Sequence, residues 1–250
     1  MATRKSRSIL VINPNCTEAM TRGLEPLVNA LGLDSATTTC AYFTAPSGIK
    51  SINNEADAAA SVEHCLPRLL PLLPQHDAFL VACYSPHPLV PLLKCQDDVK
   101  RNHKPVTGIF EASVTASLQL VAPDQKFGIV STGKVWEEIL TGAVTAFLGT
   151  GETAGKRFAG VETTGLNATE LHDAPPDEVR RKMMDATKRL VGGGDVGAVC
   201  LGCAGMAGME EMVREACIEE LGEESGKRIR VVDGVQAGVV WLDATMRTDC

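Results

Sequence analysis

Short runs of apolar and β-branched residues that stop abruptly in small polar ones recur along the chain, at 8–12, 37–43, 78–83, 106–110, 127–130, 196–201 and 229–232. Unbroken apolarity over so few positions is the pattern of a strand covered on both faces. Between these runs, at 17–31, 55–73, 136–147, 176–191 and 209–221, apolar residues return every three or four positions, the spacing of a helix with one core-facing stripe. Strand alternating with helix predicts an α/β architecture on parallel sheets. Helix punctuation agrees. Thr17 stands at an N-cap position before Glu18, Pro175 and Pro176 precede the acidic first-turn residues Asp177 and Glu178, and Gly192 to Gly194 stop that helix. The breaks at 148–155 and 192–194 are too short to read as a long interdomain linker.

The order of landmarks repeats. ILVINPN at 9–15 ends a strand in small polar residues, as does GIVSTGK at 128–134; FLVACYS at 79–85 ends one on Cys83, and AVCLGCAG at 198–205 ends one on Cys203. Asn13 precedes Cys83 by 70 residues and Thr132 precedes Cys203 by 71. KPVTGIFEA at 104–112 and KRIRVVDGV at 227–235 follow the two cysteines in turn. Three landmarks in one order predict two similar α/β lobes facing one another across a cleft.

Composition narrows what such a fold can be for. The chain has 250 residues, 44% hydrophobic and 22% charged, which suits a large globular domain or two small ones able to bury a core without staples. A net charge of −7 gives a mean field that repels nucleic-acid phosphates and anionic lipid, so neither is an expected partner. No apolar run approaches the length of a membrane span, the basic start at 1–8 reads as a solvated tail, and nine scattered cysteines read as reduced thiols; the expected location is the cytoplasm.

Ligands of open parallel sheets bind beyond the carboxyl ends of the strands, where Cys83 and Cys203 both lie. Cys203 precedes Ala204, Gly205 and Met206 and then a helical stretch, so backbone N–H groups near its sulfur are expected to lower its pKa toward neutrality. Single free cysteines are usually small buried hydrophobes, and the other seven are read that way. Matching positions in the two lobes set this pair apart. Cys200 and Cys203 form a C-x-x-C, but no second ligand pair accompanies it and Cys200 lies inside a strand, so neither zinc nor dithiol chemistry is expected. Phosphate loops, nucleophile elbows, zinc-helix motifs and dinucleotide fingerprints are missing from the sequence. His64, His76, His103 and His172 read as surface or loop residues; His87, four residues past Cys83 near the expected cleft, is kept as a candidate for substrate contact without being assigned to it. The remaining strand-end groups are Asn13, Asn15, Ser85, Ser131, Thr132 and the N–H groups around Gly133 and Gly205. They are neutral donors and acceptors without arginine, which suits a neutral or weakly acidic small molecule. Two thiols on opposite sides of a cleft can invert a stereocentre beside a carbonyl: one removes a proton, the other delivers one to the opposite face, and no metal or organic cofactor is needed.

VINPNCT at 11–17, ACYSPHPL around Cys83, PVTGIFEA at 105–112, FGIVSTGK at 127–134 and LGCAGM at 201–206 together resemble the aspartate/glutamate racemase superfamily, and within it the hydantoin and allantoin racemase branch. That resemblance implies two pseudosymmetric lobes, 1–113 with 234–250 and 114–233, each a parallel sheet flanked by helices, with the active site in the cleft between them. It implies Cys83 and Cys203 as the acid/base pair, with substrate contacts from Asn13, Phe43, Ser131, Thr132 and Gly205. Tyr84, Ser85, Gly133 and Ala204 in the same turns complete the candidate substrate-binding set. The amino-acid racemases carry C-N-T and C-T-H around their cysteines; here Cys83 is followed by Tyr84 and Ser85, and Cys203 by Ala204 and Gly205. The departure favours a cyclic ureide, allantoin or a 5-substituted hydantoin. The run from Tyr84 to His87 resembles a fungal branch linked to nitrogen catabolism, and the resemblance implies assembly from identical subunits. Decarboxylation or cis/trans isomerisation of a small diacid on the same scaffold, and a non-catalytic small-molecule sensor, stay open.

Overall fold

The computed structural model describes residues 6–149 and 156–248. Most of the break at 148–155, the start of the basic tail and Cys250 lie outside the described residues. The chain divides into two compact units, Met1–Ala112 with Val235–Cys250, and Ser113–Gly234.

The first unit runs β1 (Arg7–Asn13), α1 (Glu18–Ala30), β2 (Thr38–Thr44), α2 (Glu55–Leu69), a 3-10 helix (Leu70–Gln75), β3 (Ala78–Val81), α3 (Leu89–Lys94), α4 (Asp97–Arg101) and β4 (Val106–Gly108), after which α5 (Ile109–Leu120) leads into the second unit. The second contains β5 (Lys126–Ser131), α6 (Val135–Leu148), β6 (Phe158–Thr163), α7 (Glu170–Asp173), α8 (Pro176–Val191), β7 (Val196–Leu201), a 3-10 turn (Ala204–Met206), α9 (Glu210–Gly226) and β8 (Arg230–Asp233). The last helix, α10 (Gly234–Thr248), returns to the first unit.

Each unit has one four-stranded parallel sheet, in the order β2-β1-β3-β4 and β6-β5-β7-β8. The central strands are the continuous apolar runs of the sequence: every residue of β3 and of β7 is buried. Leu10, Ile12, Phe79 and Val81 pack with Leu69 and Leu93 in the first core; Val199, Leu201 and Val130 pack with Met183, Leu190 and Val213 in the second. Helix α2 starts on Asn54, whose side chain accepts the Asp57 N–H. Thr17 occupies the N-cap position of α1, but its hydroxyl donates to the Lys50 carbonyl at 2.7 Å and leaves the helix uncapped by its side chain. Among the described residues no helix is long and apolar enough to cross a membrane.

Several boundaries differ from the sequence reading. The apolar run at 106–110 is a strand only to Gly108; Ile109 and Phe110 already open α5, because β4 leads into its helix without a turn. Strand β6 carries no apolar run, since it is an edge strand, mostly half-buried, with Gly160 at φ +116°.

Candidate active site

The two cysteines occupy equivalent positions in their own sheets. In the first unit the Ala82 N–H continues the ladder onto the Ile12 carbonyl at 2.8 Å, and the Ala45 N–H onto that of Asn13 at 3.1 Å. In the second, the Gly202 N–H reaches the Val130 carbonyl at 2.7 Å and the Thr164 N–H that of Ser131 at 2.9 Å. Cys83 and Cys203 are the next residues, each two past the end of its strand. By its place in its own ladder, Asn13 is thus the counterpart of Ser131, one position earlier than the spacing of the sequence landmarks suggests.

The surroundings of the two thiols differ. Cys83 is half-buried, with Sγ 3.5 Å from the Ser85 hydroxyl. The Ser85 N–H donates to the Cys83 carbonyl at 3.0 Å, a tight turn that turns Tyr84 inward, edge-on to Phe110 with ring centroids 5.8 Å apart. Cys203 is half-buried at the mouth of the 3-10 turn, and its Sγ accepts the Gly205 N–H at 3.3 Å. The expected backbone donors are present, from Gly205 and Met206, but the expected low pKa is not: burial outweighs them and pushes the thiol up to about 11. Removing a thiolate from water costs more than two N–H groups return.

Asn13 is buried at the end of β1 and knits the turn that follows: its amide donates to Thr21 Oγ1 at 3.0 Å and Asn15 Oδ1 at 3.1 Å, and its Oδ1 accepts the Asn15 N–H at 3.1 Å. Phe43, near the end of β2, is half-buried against the first core. Ser131 is buried with its hydroxyl donating to the Gly202 carbonyl at 2.9 Å, which ties β5 to the residue before Cys203. Thr132 is also buried, and its carbonyl accepts the Gly165 N–H at 2.9 Å; Gly133 is half-buried at the entry to α6. Ala204 is half-buried and Gly205 buried beside the Cys203 sulfur. The strand-end candidates thus gather at the carboxyl end of their own sheet, Asn13, Phe43, Cys83, Tyr84 and Ser85 in the first unit and Ser131, Thr132, Gly133, Cys203, Ala204 and Gly205 in the second.

Gly202 has no room for a side chain: a Cβ there would lie 2.7 Å from Ile129 Cγ2 and from the Val130 carbonyl oxygen. Glycine lets β7 pass close enough to β5 to aim Cys203. A Cβ at Gly108 would strike the Glu111 carboxylate, which folds back over the end of β4; burial raises its pKa against the pull of backbone N–H groups and Lys94. Both features sit inside segments that the sequence singled out, but only packing reveals them. Cys200 is fully buried within β7, its sulfur 3.0 Å from Ser117 Oγ. Among the described residues no group of three or more His, Cys, Asp or Glu is placed to hold a metal ion. A cavity of about 710 Å³ lies at the opposite end of the first sheet, against Arg7, Asp77 and Pro105, away from the candidate residues.

A family model described as Asp/Glu/Hydantoin racemase matches residues 9–242. The chain belongs to that family. As a racemase of the Asp/Glu/Hydantoin family it acts on small molecules. Its relatives include Uncharacterized protein C1F7.10 of Schizosaccharomyces pombe, 35% identical with 96% of this chain and 92% of that protein covered. The hydantoin racemase of Pseudomonas sp. strain NS671 is 28% identical, with 94% of this chain and 84% of that protein covered. Among solved structures, the allantoin racemase of Pseudomonas fluorescens superposes with a TM-score of 0.79 at 21% identity, covering 97% of this chain and 92% of that one, and attests the shared fold.

Proposed function

We propose that the chain racemises a cyclic ureide, allantoin or a 5-substituted hydantoin, by moving protons at the ring's stereogenic carbon, with Cys83 and Cys203 as the two acid/base groups. The observation that carries this reading is the pair of thiols at one and the same ladder position of two like sheets, in a chain of the racemase family. Core cysteines have no reason to share that position. One thiolate takes the proton from the carbon beside the carbonyl; electrons shift onto the carbonyl oxygen, and the other thiol returns a proton to the opposite face. The net change is inversion, and the two sulfurs exchange which of them holds the proton, a difference that solvent exchange resets. With its pKa near 11, Cys203 holds its proton at neutral pH and is ready as the donor.

Neutral groups fit such a ring. Backbone N–H groups of Gly133 and Ala204 and the hydroxyls of Ser85 and Thr132 suit ureide carbonyls and enolate-like charge, and these turns carry no arginine of the kind a dicarboxylate would recruit. The reading places the enzyme in the cytoplasm, in nitrogen salvage, working without a cofactor. Polarimetry on enantiopure allantoin and a panel of 5-substituted hydantoins tests it. Loss of rotation is expected with at least one, falling by roughly 10²–10⁴-fold in Cys83→Ser and in Cys203→Ser; a flat trace across the panel contradicts the substrate class.

A further inference from the structure

His87 belongs to the loop of Cys83 but is not exposed to any ligand: only 1% of its surface is accessible. Its two ring nitrogens are both committed. Nδ1 accepts the Leu89 N–H at 3.2 Å, and that partner can only donate, so the ring proton sits on Nε2. Nε2 lies 3.1 Å from Ser61 Oγ, which itself donates to the Ala58 carbonyl at 2.8 Å. The order of donation is thus fixed from the first N–H of α3 through the imidazole to the backbone of α2. The main chain of His87 adds a second tie, its N–H donating to the Ser85 carbonyl at 2.8 Å. Ser85 in turn holds both the Cys83 carbonyl and, through its hydroxyl, the Cys83 sulfur. Pro86 and Pro88 flank the histidine and restrict the chain on either side.

We propose that His87 is a positioning residue for Cys83: as a neutral Nε2–H imidazole it pins the strand-end loop to Ser61 of α2 and so fixes where the Cys83 sulfur sits. Burial supports the neutral form, since it lowers the imidazole pKa to about 4. No equivalent brace is needed in the second unit, where the Gly205 N–H reaches the Cys203 sulfur directly. The turnover arm of the test rests on the cyclic-ureide reading; the thiol arm does not.

The thiol arm follows alkylation of Cys83 by iodoacetamide, resolved by peptide mass spectrometry with exposed Cys95 as internal reference. In His87→Ala the Cys83 rate is expected to rise about tenfold as the loop loosens, with Cys95 unchanged. His87→Gln, whose Nε2–H can still reach Ser61, should recover most of the native rate, whereas His87→Asn, which keeps only an acceptor for the Leu89 N–H, should alkylate nearly as fast as His87→Ala, and Ser61→Ala should fall between. In turnover, His87→Ala is expected to lower kcat by about 10²-fold with KM within about twofold, and His87→Gln to restore most of it. Unchanged Cys83 alkylation in both His87→Ala and Ser61→Ala overturns the proposal. If His87→Ala does not fold, Ser61→Ala and His87→Asn decide it by the same readout. A faster thiol in a protein that racemises nothing on the panel upholds the brace and removes the cyclic-ureide reading. Native racemisation with an unaltered thiol does the reverse.

Discussion

The turns of Cys83 and Cys203 leave their strands at the same ladder position and then diverge. After Cys83 the chain makes a side-chain turn: a serine hydroxyl at the sulfur, a buried aromatic edge-on to Phe110, and two prolines around a histidine tied to α2. After Cys203 it makes a backbone turn, in which a 3-10 segment brings the Gly205 N–H to the sulfur. The sheet thus decides where each thiol stands, and the next four residues decide what holds it there. The strands behind them differ as well, with Ala82 preceding one cysteine and Gly202 the other.

The largest difference should appear in thiol chemistry. With its pKa pushed up to about 11, Cys203 should alkylate about tenfold faster for each unit of pH from 7 to 9.5, without levelling. A plateau near pH 8 would show that N–H donation, not burial, governs this sulfur and would erase the contrast drawn here.

Acid stability tests the other turn. Folding lowers the His87 pKa from 6.5 to about 4, so as pH falls through that window the unfolded chain takes up a proton that the folded one refuses. The contribution is complete above about pH 6.5 and lost progressively toward pH 4, on the order of 3 kcal/mol for the full shift. Urea unfolding at pH 7.5, 5.5 and 4 should therefore show a steeper acid loss in the native protein than in His87→Asn. Parallel losses would mean that the imidazole takes up its proton as readily in the fold as in the unfolded chain.

A smaller effect separates the residues before the cysteines. Gly202→Ala must push aside Ile129 and the Val130 carbonyl and should cost about 1–3 kcal/mol, whereas Ala82→Gly loses only chain entropy and packing, about 0.5–1 kcal/mol. Denaturant midpoints of the two variants measure the ratio; equal costs would mean that β7 has slack beside β5.

Much of this was legible in the sequence because it depends on local pattern. The runs Ala78–Val81 and Val196–Leu201 announce central strands by being apolar on both faces, and the abrupt small residues after them mark the strand ends where both cysteines stand. Strand β6 and helices α5 and α10 were not legible. The first is an edge strand without an apolar run, and the two helices start directly from a strand, at Ile109 and Gly234, with no loop between to mark the boundary. Thiol acidity depends on burial, a property of the packed unit, so counting N–H groups near Cys203 gave the wrong direction. His87 was visible as a neighbour of Cys83, but its partner Ser61 lies 26 residues earlier on α2, and only the fold joins them.

The central claim is that these two sulfurs move protons at one carbon. Incubating an enantiopure hydantoin or allantoin with the enzyme in deuterium oxide, and following deuterium at the stereogenic carbon alongside optical rotation, tests it most directly. The account predicts that label enters as rotation decays in the native protein, and that Cys83→Ser and Cys203→Ser each stop the decay. Undiminished racemisation in either variant, or rotation lost without label, would contradict it.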